Sequence, residues 1–278
     1  MSKVTAAVVN WNSGPMLKYA VESLLTDEVE GVVVVDNASS DGSLQGIRSL
    51  RERIQVIENT ANHGFAGAIN QAFEATTTPF VLIMNPDAQA TPGAVRALAD
   101  VFDQHPKAGI VGGFLNDGYL PRPFPTMWSL MRENLGMAPS RSTLSGGDIH
   151  LVDQPAGAVL MIRREAFDQA GGFDEQFYPA WYEDVDFCRV VSEAGWEIYY
   201  HSAAVFQHDG GYSMEALGFE RFLSTYYDNQ IRYIRKHCRP RARFMIRAAL
   251  VLGMLMKMVG RPRRARGYWR VLWDAIAD

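Results

Sequence analysis

The 278-residue sequence predicts an α/β fold: a Rossmann-like, mainly parallel central sheet flanked by helices, with a C-terminal helical extension. Short runs rich in Val and Ile alternate with amphipathic stretches, the pattern of strands buried on both faces and of the helices that cross between them. Polar residues, among them Asp36, Asn37, Asn85 and Asp87, stand where these runs end. Open parallel sheets bind ligands beyond the carboxyl ends of their strands. The last forty or so residues turn strongly basic.

The strand candidates are "VTAAVVN" (4–10), "GVVVVDN" (31–37), "IQVIEN" (54–59) and "PFVLIMNPD" (79–87). Between them lie the helical candidates "GPMLKYAVESLL", with Pro15 near its start, "DGSLQGIRSL" and "GFAGAINQAFEAT". Thr91 as a cap and Pro92 at the first helical position introduce "GAVRALADVFDQH". This order implies right-handed crossovers and a parallel sheet. Residues 116–153 are rich in Pro, Gly and Ser, and a loop of that length in a compact domain is usually functional or mobile. After it come "PAGAVLMIRREAF", "GGFDEQFYPAWYEDVDFCRVVSEAG" and the strand-like "WEIYY".

With 47% hydrophobic and 21% charged residues the chain can bury a core. Cys188 and Cys238 are too few for a disulfide framework, which fits a reducing, cytoplasmic compartment. The N-terminal "MSKVTAAVVNWN" reads as a strand and not as a signal peptide, and no run of 18 apolar residues predicts a spanning helix. The net charge of −4 hides an asymmetry. Residues 1–234 carry 15 Lys and Arg against 29 Asp and Glu, whereas residues 235–278 carry 12 against 2.

Five segments carry candidate chemistry. In "VVVVDNASSDGS", Asp36 either builds an Asx-type turn or accepts the ring N–H of a uracil or thymine. In "NTANHGFAGAINQA", Gly64 and Gly67 either expose helix N-terminal N–H groups to phosphates or merely permit close packing. In "LIMNPDAQA", Pro86 ends the ladder and presents Asp87, a hard oxygen ligand suited to Mg²⁺ or Mn²⁺ held mainly by substrate phosphates, or else part of a type I turn. In "VFQHDGGYS", His208 beside Asp209 is a further metal ligand or an ordinary loop histidine. In "WYEDVDFC", a helix over 184–194, stopped by Gly195, puts Asp186 on a solvated stripe with Arg189 and Glu193. Asp184 then lies on the opposite side, above Phe187, Cys188 and Val191. Helix capping accounts for Glu183 but leaves Asp184 as a candidate general base.

Taken in order, "VVNWN", "VVVVDNASSDGS", "NHGFAGAINQA", "NPD", "GGFDEQF", "YEDVDFC" and "HDGG" resemble inverting sugar transferases of glycosyltransferase family 2, from about Val4 to Ser213. The rhamnosyltransferase-like branch, in which Asn-Pro-Asp replaces Asp-x-Asp, is the most similar. The resemblance implies the GT-A fold over residues 1–235. It implies metal-dependent, inverting hexosyl transfer, with rhamnose moving from dTDP-rhamnose, or another sugar from a UDP donor, to an acceptor hydroxyl on a lipid-linked or cell-surface glycan. It further implies that Asp36 holds the pyrimidine with Val9 and Asn10 beside it, and that Asn62, Gly64, Asn70 and Asn85 line the donor. Asp87 and His208 would bind Mg²⁺ or Mn²⁺. Asp184, ionised at the ordinary aspartate pKa of about 3.9, would deprotonate the acceptor. Glu183 would orient the acceptor, and Trp181 or Tyr182 would stack on its sugar. Because Asn85 adds no charge to the metal site, a non-catalytic nucleotide-sugar-binding module is the alternative.

Residues 236–278 are expected to form a basic amphipathic helical tail. Ala248–Met256 is apolar but short, is flanked by arginines, and is followed by Tyr268, Trp269 and Trp273. That suits a helix lying on an anionic membrane, at its inner face. The alternative is packing against the body or against another subunit of a homo-oligomer. Nucleic acid is set aside as a partner, since the body is acidic and no base-reading motif occurs.

Overall fold

The computed structural model describes residues 3–137, 144, 148–208 and 217–277. Strand β1 (Val4–Asn10) is buried at all seven positions and runs between β2 (Gly31–Asp36) and β4 (Phe80–Met84), with β3 (Gln55–Glu58) outside β2. These four strands are mutually parallel, as their continuous apolar runs predict.

The parallel character does not extend across the sheet. Strand β8 (Val159–Arg163) lies antiparallel between β4 and β6 (Ala108–Phe114). On the far side β9 (Glu197–His208) is parallel to β6 but antiparallel to the three-residue strands β5 (Ala88–Ala90) and β7 (Ile149–Leu151). The sheet is therefore mixed. Strand β8 follows β6 only after residues 115–158, and so long a connection imposes no parallel crossover on it. Strand β9 also runs well past "WEIYY", which makes His208 a strand residue and not a loop residue.

Helices α1 (Met16–Leu25) and α4 (Ala94–Gln104) cover one sheet face, where Leu17, Leu24, Leu98 and Phe102 meet Val8, Val34 and Leu82. Between α1 and α4 in the chain, "DGSLQGIRSL" forms only a short α2 (Ser43–Gly46) and a 3-10 turn. The other face is covered by α3 (Gly64–Glu74), α6 (Arg164–Ala170) and α7 (Glu183–Glu193), through Ile69, Phe73, Phe167 and Phe187. Thr91 and Pro92 do not cap α4 as expected. The Thr91 hydroxyl donates to the Val205 carbonyl, and Asp27 accepts from the N–H groups of Gly93 and Val95 at 3.2 and 3.1 Å, so the cap comes from the loop after α1. Within the expected loop of 116–153, Thr126 and Ser129 form a reciprocal capping box that starts α5 (Met127–Asn134).

The extension consists of α8 (Phe219–His237), α9 (Pro240–Gly260) and α10 (Ala265–Ala277). The expected division at 235/236 falls inside α8. One face of the three helices buries Leu223, Tyr227, Ile231, Leu250, Met254, Tyr268, Val271 and Leu272 together, so packing against the body holds for part of the tail. Asp186 also departs from expectation. It is 1% exposed, and its carboxylate accepts from Lys236 Nζ at 2.8 Å and pairs with His237 Nε2 at 2.6 Å, which ties α7 to α8. A helical wheel for α7 alone makes this position look solvated because the covering cations come from fifty residues downstream.

Helix α9 docks on α5 at Gly253, where a Cβ would overlap the Asn134 carbonyl. Gly253→Ala should therefore push α9 off α5 and destabilise the fold by about 1–3 kcal/mol, the usual range for overpacking, as read by urea denaturation.

Candidate active site

A cavity of about 590 Å³ opens beyond the carboxyl ends of β1, β2 and β4, where Val9, Asn37 and Asn85 form its inner wall. Asp87 and His208 line it, as do Gly157, Glu183 and Asp184. Trp181, Phe222 and Tyr226 add an aromatic side, and Arg122, Arg132 and Glu133 add charge.

The Asp87–His208 pair follows from strand register. Pro86 cannot continue β4, the chain turns into β5, and antiparallel pairing sets Ala88 opposite His208. His208 Nε2 then lies 3.3 Å from Asp87 Oδ1, with the two side chains only 3% and 8% exposed. The edge of the Tyr119 ring packs against the imidazole at 4.7 Å between centroids. His208 Nδ1 is buried and has no hydrogen-bond partner among the described residues. A carboxylate beside an imidazole with an unused nitrogen is a donor set that fits Mg²⁺ or Mn²⁺. Among the described residues no three His, Cys, Asp or Glu side chains converge, so such an ion would take its remaining ligands from substrate oxygens. Asp209 lies outside the described residues.

The acids at the start of α7 are delivered by an unusual turn. Trp181 and Tyr182 both have left-handed backbones, with φ of 74° and 72°. Two such non-glycine residues cost of order 1–3 kcal/mol each and persist only where neighbours enforce them. Here Asn229 Nδ2 donates to the carbonyls of Ala180 and Trp181 at 2.8 and 3.0 Å, and Gln230 Nε2 donates to the Tyr182 hydroxyl at 3.0 Å. Asp184 accepts from the Gly157 N–H at 3.2 Å through Oδ2 and from the Val185 N–H at 2.8 Å through Oδ1. Burial raises its pKa above the ordinary aspartate value, opposed by these N–H groups and by the Arg122 charge. The expectation of an unperturbed carboxylate is thereby corrected. Glu183 is buried, with Oε2 lacking any partner, and burial together with the neighbouring Asp184 charge pushes its pKa well up. The pair therefore favours one anion beside one neutral acid.

Several expected donor contacts fall elsewhere. Asp36 is 2% exposed and does not line the cavity. Its Oδ1 accepts from Asn10 Nδ2 at 2.6 Å and its Oδ2 from the Ser39 N–H at 3.0 Å, so it builds the Asx-type turn, and Asn10 is spent on the same network. Gly64 lies outside the cavity wall, because its glycine character serves close approach. Its φ is +77°, a Cβ would meet the Tyr178 ring at 2.9 Å, and its N–H donates to Asn62 Oδ1 at 2.7 Å. Asn70 holds the Phe173 backbone through both of its polar atoms, at 2.9 Å each, away from the cavity. Tyr182 reaches the cavity, but its ring is packed between Tyr226 and Tyr233 at 5.3 and 5.4 Å and offers no free face. Trp181 is partly exposed, with the Phe222 ring edge-on at 4.9 Å. Val9, Asn62, Asn85, Asp87, Trp181, Glu183, Asp184 and His208 do meet in one cavity. Asn37, singled out in the sequence only as a strand-end polar residue, also lines the cavity. Sequence reasoning missed Trp11, Arg122, Glu133 and Gly157. For Trp11 the signal was available, as an aromatic residue immediately after a buried strand.

The sequence model of glycosyl transferase family 2 matches residues 5–170. An N-acetylglucosaminyl-diphospho-decaprenol L-rhamnosyltransferase of Mycobacterium tuberculosis is 30% identical over 228 residues, 72% of this chain and 74% of the relative. A low-salt glycan biosynthesis hexosyltransferase of Haloferax volcanii is 27% identical over 198 residues, 68% and 61% of the two chains. Among solved structures, a mannosyltransferase from Pyrobaculum calidifontis in complex with GDP-Man and Mn²⁺ superposes with a TM-score of 0.62 at 18% identity, over 99% of this chain and 75% of that one. GalNAc-T7 with UDP, GalNAc and Mn²⁺ gives 0.67 at 14% identity, over 84% and 48%. The fold is GT-A.

Two measurements test the acid pair directly. At Gly157 a Cβ would overlap the Asp184 carboxylate, so Gly157→Ala should displace that side chain and cost about 1–3 kcal/mol of stability by urea denaturation. In a carbon-detected NMR titration, Asp184 should protonate above the ordinary value of about 3.9. Arg122 lowers that pKa, so Arg122→Ala should move the midpoint further up and never down.

Proposed function

This chain belongs to glycosyl transferase family 2, and from that premise we propose that it moves rhamnose from dTDP-rhamnose to an acceptor hydroxyl, with inversion at the anomeric carbon. The observation that carries this reading is the shared cavity. Asp184, a carboxylate without a salt-bridge partner among the described residues, faces the same space as the cation-ready Asp87–His208 pair. Two oppositely purposed poles in one cleft are what displacement of a diphosphate by an alcohol requires.

In this mechanism Asp184 takes the proton of the acceptor hydroxyl as its oxygen attacks the anomeric carbon, while the bond from that carbon to the diphosphate oxygen breaks on the opposite face. A raised pKa suits the task, because a base is most effective when its pKa approaches the working pH. Glu183, as the neutral acid, orients the acceptor without repelling the departing anion. Trp181 gives the acceptor sugar an apolar platform. Asp87 and His208 would hold Mg²⁺ or Mn²⁺, which when bound supplies charge neutralisation for the leaving diphosphate. Val9, Asn37 and Trp11 are the groups available to the nucleoside. The name of the Mycobacterium relative supports a lipid-linked acceptor here too, and hence work at the cytoplasmic face of a membrane.

The test is transfer from dTDP-rhamnose, in parallel with UDP-sugars, in the presence of Mn²⁺. Asp184→Asn should lose about 10²–10⁴-fold in turnover while keeping donor affinity by calorimetry. Glu183→Gln, which preserves a neutral side chain, should retain most turnover. Near-native turnover by Asp184→Asn would remove the base from the mechanism.

A further inference from the structure

We propose that the outer surface of α9 and α10 is a docking face for an anionic lipid membrane. Between Ala248 and Met256, helix α9 carries no charged residue on any side. Its inner side, with Ile246, Leu250 and Met254, is buried in the protein, while Phe244, Leu252, Leu255, Met256 and Val259 form an outer stripe at helical spacing. Phe244 is 75% exposed and Val259 86%. A surface helix of a water-facing domain carries polar residues on that side. On α10, Trp269, Trp273 and Ile276 likewise share one face and are each more than half exposed. Indole rings beside an aliphatic stripe are the side chains found at headgroup depth in membranes.

Charge selects the occupant. Arg241 stands exposed near the start of the α9 stripe and Arg261, Arg263 and Arg264 just beyond its end, while Arg266 and Arg270 lie next to the exposed tryptophans. A second copy docking through the same patch would set these cations against their own equivalents. A bilayer rich in anionic headgroups matches both the apolar stripe and its cationic surround. Among the described residues no helix is long and apolar enough to cross a membrane, so the contact is with the surface. The face also has a defined relation to the cavity. Helix α9 packs on α5, whose Ser129, Leu130 and Glu133 line that cavity from the other side.

The inference is measured with protein alone and does not depend on the donor or on sugar transfer. The full chain is sedimented with vesicles of phosphatidylcholine, or of phosphatidylcholine mixed with phosphatidylglycerol, at low and high salt. Binding is expected on the mixed vesicles and should weaken as salt screens the arginines. Arg263→Glu with Arg264→Glu should raise the lipid concentration for half-binding by at least about tenfold. Leu252→Glu with Leu255→Glu should abolish binding at an unchanged melting midpoint, since both residues are exposed. Quenching of tryptophan emission by brominated lipid should fall in the Trp269→Phe, Trp273→Phe variant. Failure to bind the mixed vesicles, or binding indifferent to both charge and leucine variants, overturns the proposal. So does a stable dimer that the leucine variants dissociate, which would make a second copy the occupant.

Discussion

Two neighbouring carboxylates, one buried and one half-buried, stand at the head of one helix, and most of the surrounding architecture answers to the cost of desolvating them. Among the described residues no cation forms a salt bridge with Glu183 or Asp184. What stabilises charge there is mainly backbone, the N–H groups of Gly157 and Val185 and the positive end of α7, helped by the more distant charge of Arg122. Desolvation and mutual repulsion exceed these contributions, which is why both acids hold their protons more tightly than ordinary carboxylates. The left-handed pair Trp181–Tyr182 aims them into the cavity, and Asn229 and Gln230 hold that strained backbone in place. Both amides belong to α8, so the C-terminal helices are part of the site's support and not an appendage.

The opposite pole is built by strand register instead of strain. A proline ends one strand, a three-residue strand follows, and its pairing with the last residues of β9 brings together two side chains some 120 positions apart in sequence. Between the poles the wall mixes backbone, aromatic rings and the exposed guanidinium groups of Arg122 and Arg132. One cavity thus holds both a group with raised proton affinity and a pair suited to a cation.

The parallel half of the sheet was legible because β1, β2 and β4 are buried on both faces and leave unbroken apolar runs. The antiparallel half was not. Strands β5 and β7 are three residues long, too short to show a period, and β8 takes its direction from a partner far away in sequence. Asp87, His208, Glu183 and Asp184 could be singled out because each is a costly residue in a context that does not explain it. Asp36 was ambiguous, since a carboxylate at a strand end serves a turn as well as a ligand, and here Asn10 and Ser39 bond to it. Asp186 was misread because Lys236 and His237 belong to another helix. Gly157 gave no signal at all, as its importance lies in a neighbour 27 residues away.

Helix α8 touches everything of consequence in the C-terminal half. Phe222 and Tyr226 look into the cavity, Asn229 and Gln230 hold the strained turn, Lys236 and His237 grip Asp186, and Leu223, Tyr227 and Ile231 seat α9 and α10. It is a single uninterrupted rod of 19 residues with no hinge along it. Displacing that rod would disturb at one stroke the seat of α9 and α10, the left-handed turn before α7 and the cations on Asp186.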